Sequence, residues 1–124
     1  VIATDAPLLP TQLKRLARRA GMGLARMGSY AGNGSGDIFI AFSTANAGAF
    51  AGSTVRQANF IYNEDINPLF EATVQATEEA IVNAMVAARD MDGTEGSHAM
   101  ALPHDRLVSL LRRYHRYQPP ARRR

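Results

Sequence analysis

The stretch GNGSGDIFIAFSTAN, Gly32 to Asn46, decides how the rest of the chain is read. Ile38 to Phe42 is too short for a helix, rich in strand formers and apolar at every position, which predicts a strand covered on both faces. The loop before it has unusual chemistry. Glycines alternate with Asn33, Ser35 and Asp37, so a hydroxyl and a carboxylate stand two residues apart at the mouth of a buried strand.

Downstream, STANAGAFAGST is small, polar and glycine-bearing and reads as a connecting loop. Val55 to Tyr62 reads as a second strand, able to pair with the first as a long-looped hairpin. Upstream, Pro10 suits the first turn of a helix, where its missing N–H costs nothing. Leu9, Leu13, Leu16, Ala17 and Ala20 then share one face, with Lys14, Arg15, Arg18 and Arg19 on the other. Gly21 and Gly23 are expected to break or kink this helix, Leu24 to Met27 to resume it, and Gly28 to stop it.

The longest periodic segment runs from Ile66 to Ala88, with Leu69, Phe70, Thr73, Val74, Thr77, Ile81 and Met85 on one face and Glu71, Gln75, Glu78, Glu79 and Asn83 on the other. Asn67 before Pro68 makes a cap and first-turn pair. DMDGTEGSHAMALP is a loop by composition, and a short helix follows from about Pro103 to Tyr114 with Leu107, Leu110 and Leu111 inward. Strands apolar on both faces and helices apolar on one imply a layered α/β fold, with helices packed on sheet.

At 124 residues and 46% apolar, the chain is long enough for one compact domain or part of a larger one. It has no apolar run of bilayer-spanning length, and no membrane partner is expected. It has no cysteine, which excludes thiolate chemistry and disulfides and favours a cytoplasmic location, with the periplasm as the alternative. Val1 to Ala3 read as the end of an apolar strand, so processing or truncation is expected to have removed what came before. The net charge is +3, but Arg112, Arg113, Arg116, Arg122, Arg123 and Arg124 carry six positives, which leaves −3 on residues 1 to 111. The basic character belongs to a tail, expected to be disordered over 115–124, and no nucleic-acid partner is implied.

Several candidates for chemistry fall away. Phosphate-cradling glycine loops follow a strand and open a helix, whereas this one precedes a strand. Asn33, Gly34 and Ser35 match the glycosylation acceptor pattern, a match common by chance. His98, His104 and His115 fit no zinc spacing, and no metal or other cofactor is expected. Ser35 and Asp37 remain, with two readings. They are a turn residue and a strand-capping acid, which composition alone favours, or a proton-handling pair beside a nucleophile elsewhere.

ATDAPLLP with QLKRLARRA, GLARMGSYAGNGSGDIFIAFSTAN and EEAIVNAMVAA together resemble the small subunit of the L-aminopeptidase D-Ala-esterase/amidase family, which includes the β-peptidyl aminopeptidases. The likeness runs through about Tyr114. It implies a four-layer αββα sandwich, similar in architecture to the N-terminal nucleophile hydrolases but differently connected. It further implies a precursor that cuts itself at a Gly-Ser bond, so that the freed serine becomes a nucleophile whose own α-amino group can act as base. That serine would lie about four residues before Val1. The family's serine, one residue, glutamate pattern falls on Ser35, Gly36 and Asp37, with aspartate one methylene shorter. The resemblance also implies a large subunit from the same precursor, which supplies an oxyanion-stabilising asparagine and much of the pocket. It implies assembly of the resulting heterodimers, and short peptides, amides or esters as substrates, cleaved through an acyl-enzyme.

Two rival expectations stand beside this. One is an acetyltransferase of related fold with threonine as the terminal nucleophile. The other is a non-catalytic domain that binds a partner through the long helix and the arginine tail.

Overall fold

The computed structural model describes residues 1–50, 52 and 54–119; Pro120 and the last arginines of the expected tail lie outside them. The chain is mixed α/β and divides into two compact units, Val1–Ile81 and Val82–Arg124.

The first unit is built on a β–α–β crossover. Strand β1 (Ile2–Thr4) leads to helix α1 (Pro10–Arg26), and strand β2 (Ala41–Ser43) returns parallel to β1. The register pairs Ile2 with Ala41, Ala3 with Phe42 and Thr4 with Ser43. The Ile2 N–H donates to Ile40 O at 2.8 Å and the Thr44 N–H to Thr4 O at 3.0 Å, while Ser43 Oγ donates to Ala6 O at 2.6 Å.

This corrects two expectations. The hairpin between Ile38–Phe42 and Val55–Tyr62 does not form: residues 55–62 are not a strand, and their backbone bonds go elsewhere. Asn46 clamps residue 59, its Nδ2 donating to Asn59 O and its Oδ1 accepting the Asn59 N–H, both at 3.0 Å. The Ile61 N–H donates to Pro7 O, and Ile61 O accepts from Gln12 Nε2 at 2.8 Å. Nor is the first strand covered on both faces. Phe39, Ala41 and Ser43 are half-buried, whereas Ile38, Ile40 and Phe42 on the alternate face are exposed, Ile38 by 83%.

α1 runs unbroken through Gly21 and Gly23, contrary to the expected break. Its start shows a half-completed capping box: Leu9 has no side-chain acceptor, but Gln12 Oε1 reaches back to the Leu9 N–H at 3.0 Å. The same Gln12 bonds Ile61 through Nε2, which is why a polar residue can be buried here without loss. Gly23 is where α1 meets helix α2 (Asn67–Ala87). A Cβ there would stand 2.7 Å from Thr77 Cβ and 2.8 Å from Val74 O, so only glycine lets the backbones approach so closely. Thr73 and Thr77 on that side of α2 satisfy their hydroxyls on Leu69 O and Thr73 O, each at 2.7 Å.

A 3-10 turn, Asn63–Ile66, runs directly into α2, so Asn67 has helical angles (φ −55°, ψ −41°) and is not the expected cap. Leu8, Leu16, Ile66 and Phe70 form the core, with Ile2, Leu13, Ala41 and Ile61 packed against it. Burying a side chain such as Leu16, 2% exposed, stabilises by about 2 kcal/mol. Arg15 and Arg19 are not simply solvated: their guanidinium carbons lie 5.0 and 4.0 Å from the Phe70 ring centre, and Arg15 also donates to Asn63 Oδ1.

In the second unit the expected loop contains a small hairpin. Strands β3 (Met91–Asp92) and β4 (His98–Ala99) pair antiparallel, and His98 Nδ1 lies 2.6 Å from Asp92 Oδ1 across them. The turn closes through the Gly93 N–H on Ser97 O, with Glu95 and Gly96 at positive φ. Helix α3 (His104–Arg113) follows; its Leu107 and Leu111 are half-buried but Leu110 is exposed rather than inward. No helix among the described residues is long and apolar enough to cross a membrane.

Candidate active site

The glycine loop between α1 and β2 begins with a defined stop. Gly28, at φ +96°, takes the left-handed position after the C-cap: its N–H donates to Ala25 O, and the Ser29 N–H reaches back to Leu24 O. This pattern satisfies the last carbonyls of α1 and turns the chain away from the helix axis. Ala31 also has positive φ, and its N–H donates to Ser29 Oγ at 3.3 Å. Gly32 to Ser35 forms a tight turn, the Ser35 N–H donating to Gly32 O at 2.9 Å.

These turns bring Ser35 and Asp37 to one open depression of about 440 Å³. One side is the last turns of α1, with Gly21, Leu24 and Ala25. The other is the loop from Ser29 to Ala31 and the approach to β2, with Phe39. Ser35 and Asp37 are exposed, and neither side chain hydrogen-bonds another described residue. A free hydroxyl and a free carboxylate on a shared concave surface can take or give a proton at a third group placed between them.

The histidines are not brought to this surface. His98 pairs with Asp92, and His104 Nε2 lies 2.9 Å from Val86 O, both within the second unit. Among the described residues no group of three or more His, Cys, Asp or Glu side chains is arranged to hold a metal ion.

Sequence reasoning missed Tyr30 and Phe39, the two aromatic rings that line the depression. Phe39 was concealed as one of five apolar strand residues. Tyr30 carries the stronger signal, a large ring inside a loop otherwise built of Gly, Ser, Ala and Asn.

Comparison with known proteins identifies the family and the fold. The profile of peptidase family S58 matches residues 1–99. A beta-peptidyl aminopeptidase, BapA, of Sphingosinicella microcystinivorans is 51% identical over 117 residues, which cover 94% of this chain and 30% of that protein. Among solved structures, the PH0078 protein from Pyrococcus horikoshii OT3 superposes with a TM-score of 0.84 at 47% identity, over 91% of this chain and 32% of that one. The L-aminopeptidase D-Ala-esterase/amidase of Ochrobactrum anthropi, described as a prototype for the serine aminopeptidases and a variant of the Ntn hydrolase fold, superposes with a TM-score of 0.82 at 46% identity. It is matched over 90% of this chain and 32% of its own. The chain thus spans about a third of the length of these relatives, and its α/β architecture is part of an Ntn-hydrolase-type fold.

Proposed function

The chain belongs to peptidase family S58, and from that premise we propose that it is the C-terminal, small-subunit part of a self-processing serine aminopeptidase or amidase. The nucleophile is a serine about four residues before Val1, freed by cleavage of a Gly-Ser bond. Its hydroxyl attacks the carbonyl of an N-terminal residue in a short peptide, amide or ester. The C–N or C–O bond breaks, the acyl group passes to the serine, and water then releases it. Ser35 relays the proton between the nucleophile and the departing group, and the nearby Asp37 carboxylate favours the positive charge on the nucleophile's protonated α-amino group. The scheme needs no cofactor.

One observation carries this reading, the β1–β2 register. It pairs each residue of β1 with the residue thirty-nine positions later. Because the two strands run parallel, the chain ahead of β1 and the Gly32–Asp37 loop ahead of β2 lie at the same end of the sheet, which supports a nucleophile just before Val1 acting beside Ser35 and Asp37. The exposed row Ile38, Ile40 and Phe42 supports the second half of the proposal. We assign it to contact with the rest of the same polypeptide, the large subunit, since an open apolar sheet face in water is otherwise unfavourable. Further assembly of such pairs belongs to the same proposal.

The deciding experiment is Ser35→Ala in the whole protein. Its kcat for a peptide amide should fall about 100-fold with little change in melting temperature, because the residue it removes is exposed and touches no core group. Normal turnover by a folded variant would remove Ser35 from the mechanism. Mass spectrometry of the native protein should also find a new chain beginning at serine.

A further inference from the structure

Tyr30 stands on the wall of the depression that holds Ser35 and Asp37, with its side chain in water: the residue is 91% exposed. The local backbone sets where the residue sits on that wall. α1 closes at Gly28, Ala31 takes φ +50°, and Ser29 Oγ holds the Ala31 N–H. The chain then passes close by the ring at Gly32, where an added Cβ would stand 3.2 Å from Tyr30 Cε2. Phe39 and Leu24 line the same depression, so the hydroxyl and the carboxylate share one concave surface with two aromatic rings.

From this arrangement we propose that Tyr30, together with Phe39, forms the leaving-group subsite: it receives the side chain of the residue after the cleaved bond, or the ring of an aryl amide. The proposal rests on the roles given above to Ser35 and Asp37. Amide cleavage requires a proton on the departing nitrogen, and that proton comes from the relay that removed it from the nucleophile. The nitrogen must therefore come within hydrogen-bond reach of the Ser35 and Asp37 end of the depression. Whatever the nitrogen carries then extends along the wall that Tyr30 provides. An exposed ring there favours apolar and aromatic groups and offers nothing to ammonia or glycine. The substrate class is accordingly short peptides and amides with an apolar or aromatic leaving group.

The test is a leaving-group series on the whole protein, with one accepted acyl residue X held constant: X-amide, X-Gly, X-Phe and X-p-nitroanilide. Wild type should favour X-Phe and the anilide over X-Gly and the amide in kcat/KM. Tyr30→Ala should lower that ratio about tenfold, a size usual for losing one apolar contact. Tyr30→Phe should restore the ratio, and Gly32→Ala, whose Cβ displaces the ring, should lower it in part. As a second readout, Tyr30→Ala should reduce interception of the acyl-enzyme by phenylalanine amide relative to glycine amide. A Tyr30→Ala ratio within twofold of wild type overturns the subsite. So does a shift confined to a series that varies the acyl residue. Ser35→Ala with normal turnover would sink the leaving-group assignment through its premise, and wild type that cleaves none of the series would sink the hydrolase reading as well.

Discussion

α1 and α2 make opposite use of the same kind of sequence. α1 removes Leu16, Ala17, Ala20, Gln12 and Gly23 from water along most of its length. α2 is four residues longer yet buries only Phe70 and Thr73, both near its start, while Val82, Met85 and Val86 remain exposed. α1 has β2 and the first half of α2 to pack against; the later turns of α2 have no comparable cover among the described residues. An apolar stripe encodes burial in the whole protein, and this chain spans about a third of the relatives' length. The helix that looks more apolar in sequence is therefore the less buried one.

The contrast can be broken at three positions in the whole protein. Leu16→Ala should cost about 3 kcal/mol in urea denaturation, through lost burial and a cavity next to Ile66 and Phe70. A loss below ~1 kcal/mol would mean that the α1 core is soft and the contrast illusory. Gly23→Ala should cost about 2 kcal/mol, although alanine is the better helix former, because its Cβ would collide with Thr77 and the Val74 carbonyl. Stabilisation by this change would show that the two helices are free to separate. Met85→Ala is the sharpest comparison despite the smallest effect. The residue is 43% exposed here, and the cost should be about 1 kcal/mol if the remaining polypeptide covers the stripe. A cost near zero would show that the later turns of α2 stay bare in the whole protein too.

All three helices were legible because a 3.6-residue period survives in one dimension: Leu13, Leu16 and Ala20 announce α1 whatever it packs on. The strands at Val1 to Ala3 and Ile38 to Phe42 were placed, but their pairing was not legible. A run such as Ile38–Phe42 is apolar at every position, so nothing in it says which neighbour it pairs with or which face stays open. Its actual partner is a strand of three residues, too short for any periodicity. Gly23 was misread as a breaker because its role depends on Thr77 and Val74, residues distant in sequence. The two-residue strands of the β3–β4 hairpin carry no alternation to detect. At the candidate site, Ser35 and Asp37 were singled out by the resemblance, and the structure shows them on one depression. Tyr30 was overlooked there: its ring among small residues was a signal, but its place on the same depression follows from the turns at Gly28 and Ala31.

The parallel pairing of β1 with β2 also sets a schedule. Antiparallel neighbours can zip from a local turn, but Ile2 and Ala41 meet only after a loop of thirty-nine positions has closed, with α1 formed and docked inside it. The ladder is thus a late event in folding. If the nucleophile lies just ahead of β1, as proposed, it would stay apart from Ser35 and Asp37 until the crossover closes. Topology by itself would then act as a clock, and bond cleavage at that point would report that folding is finished.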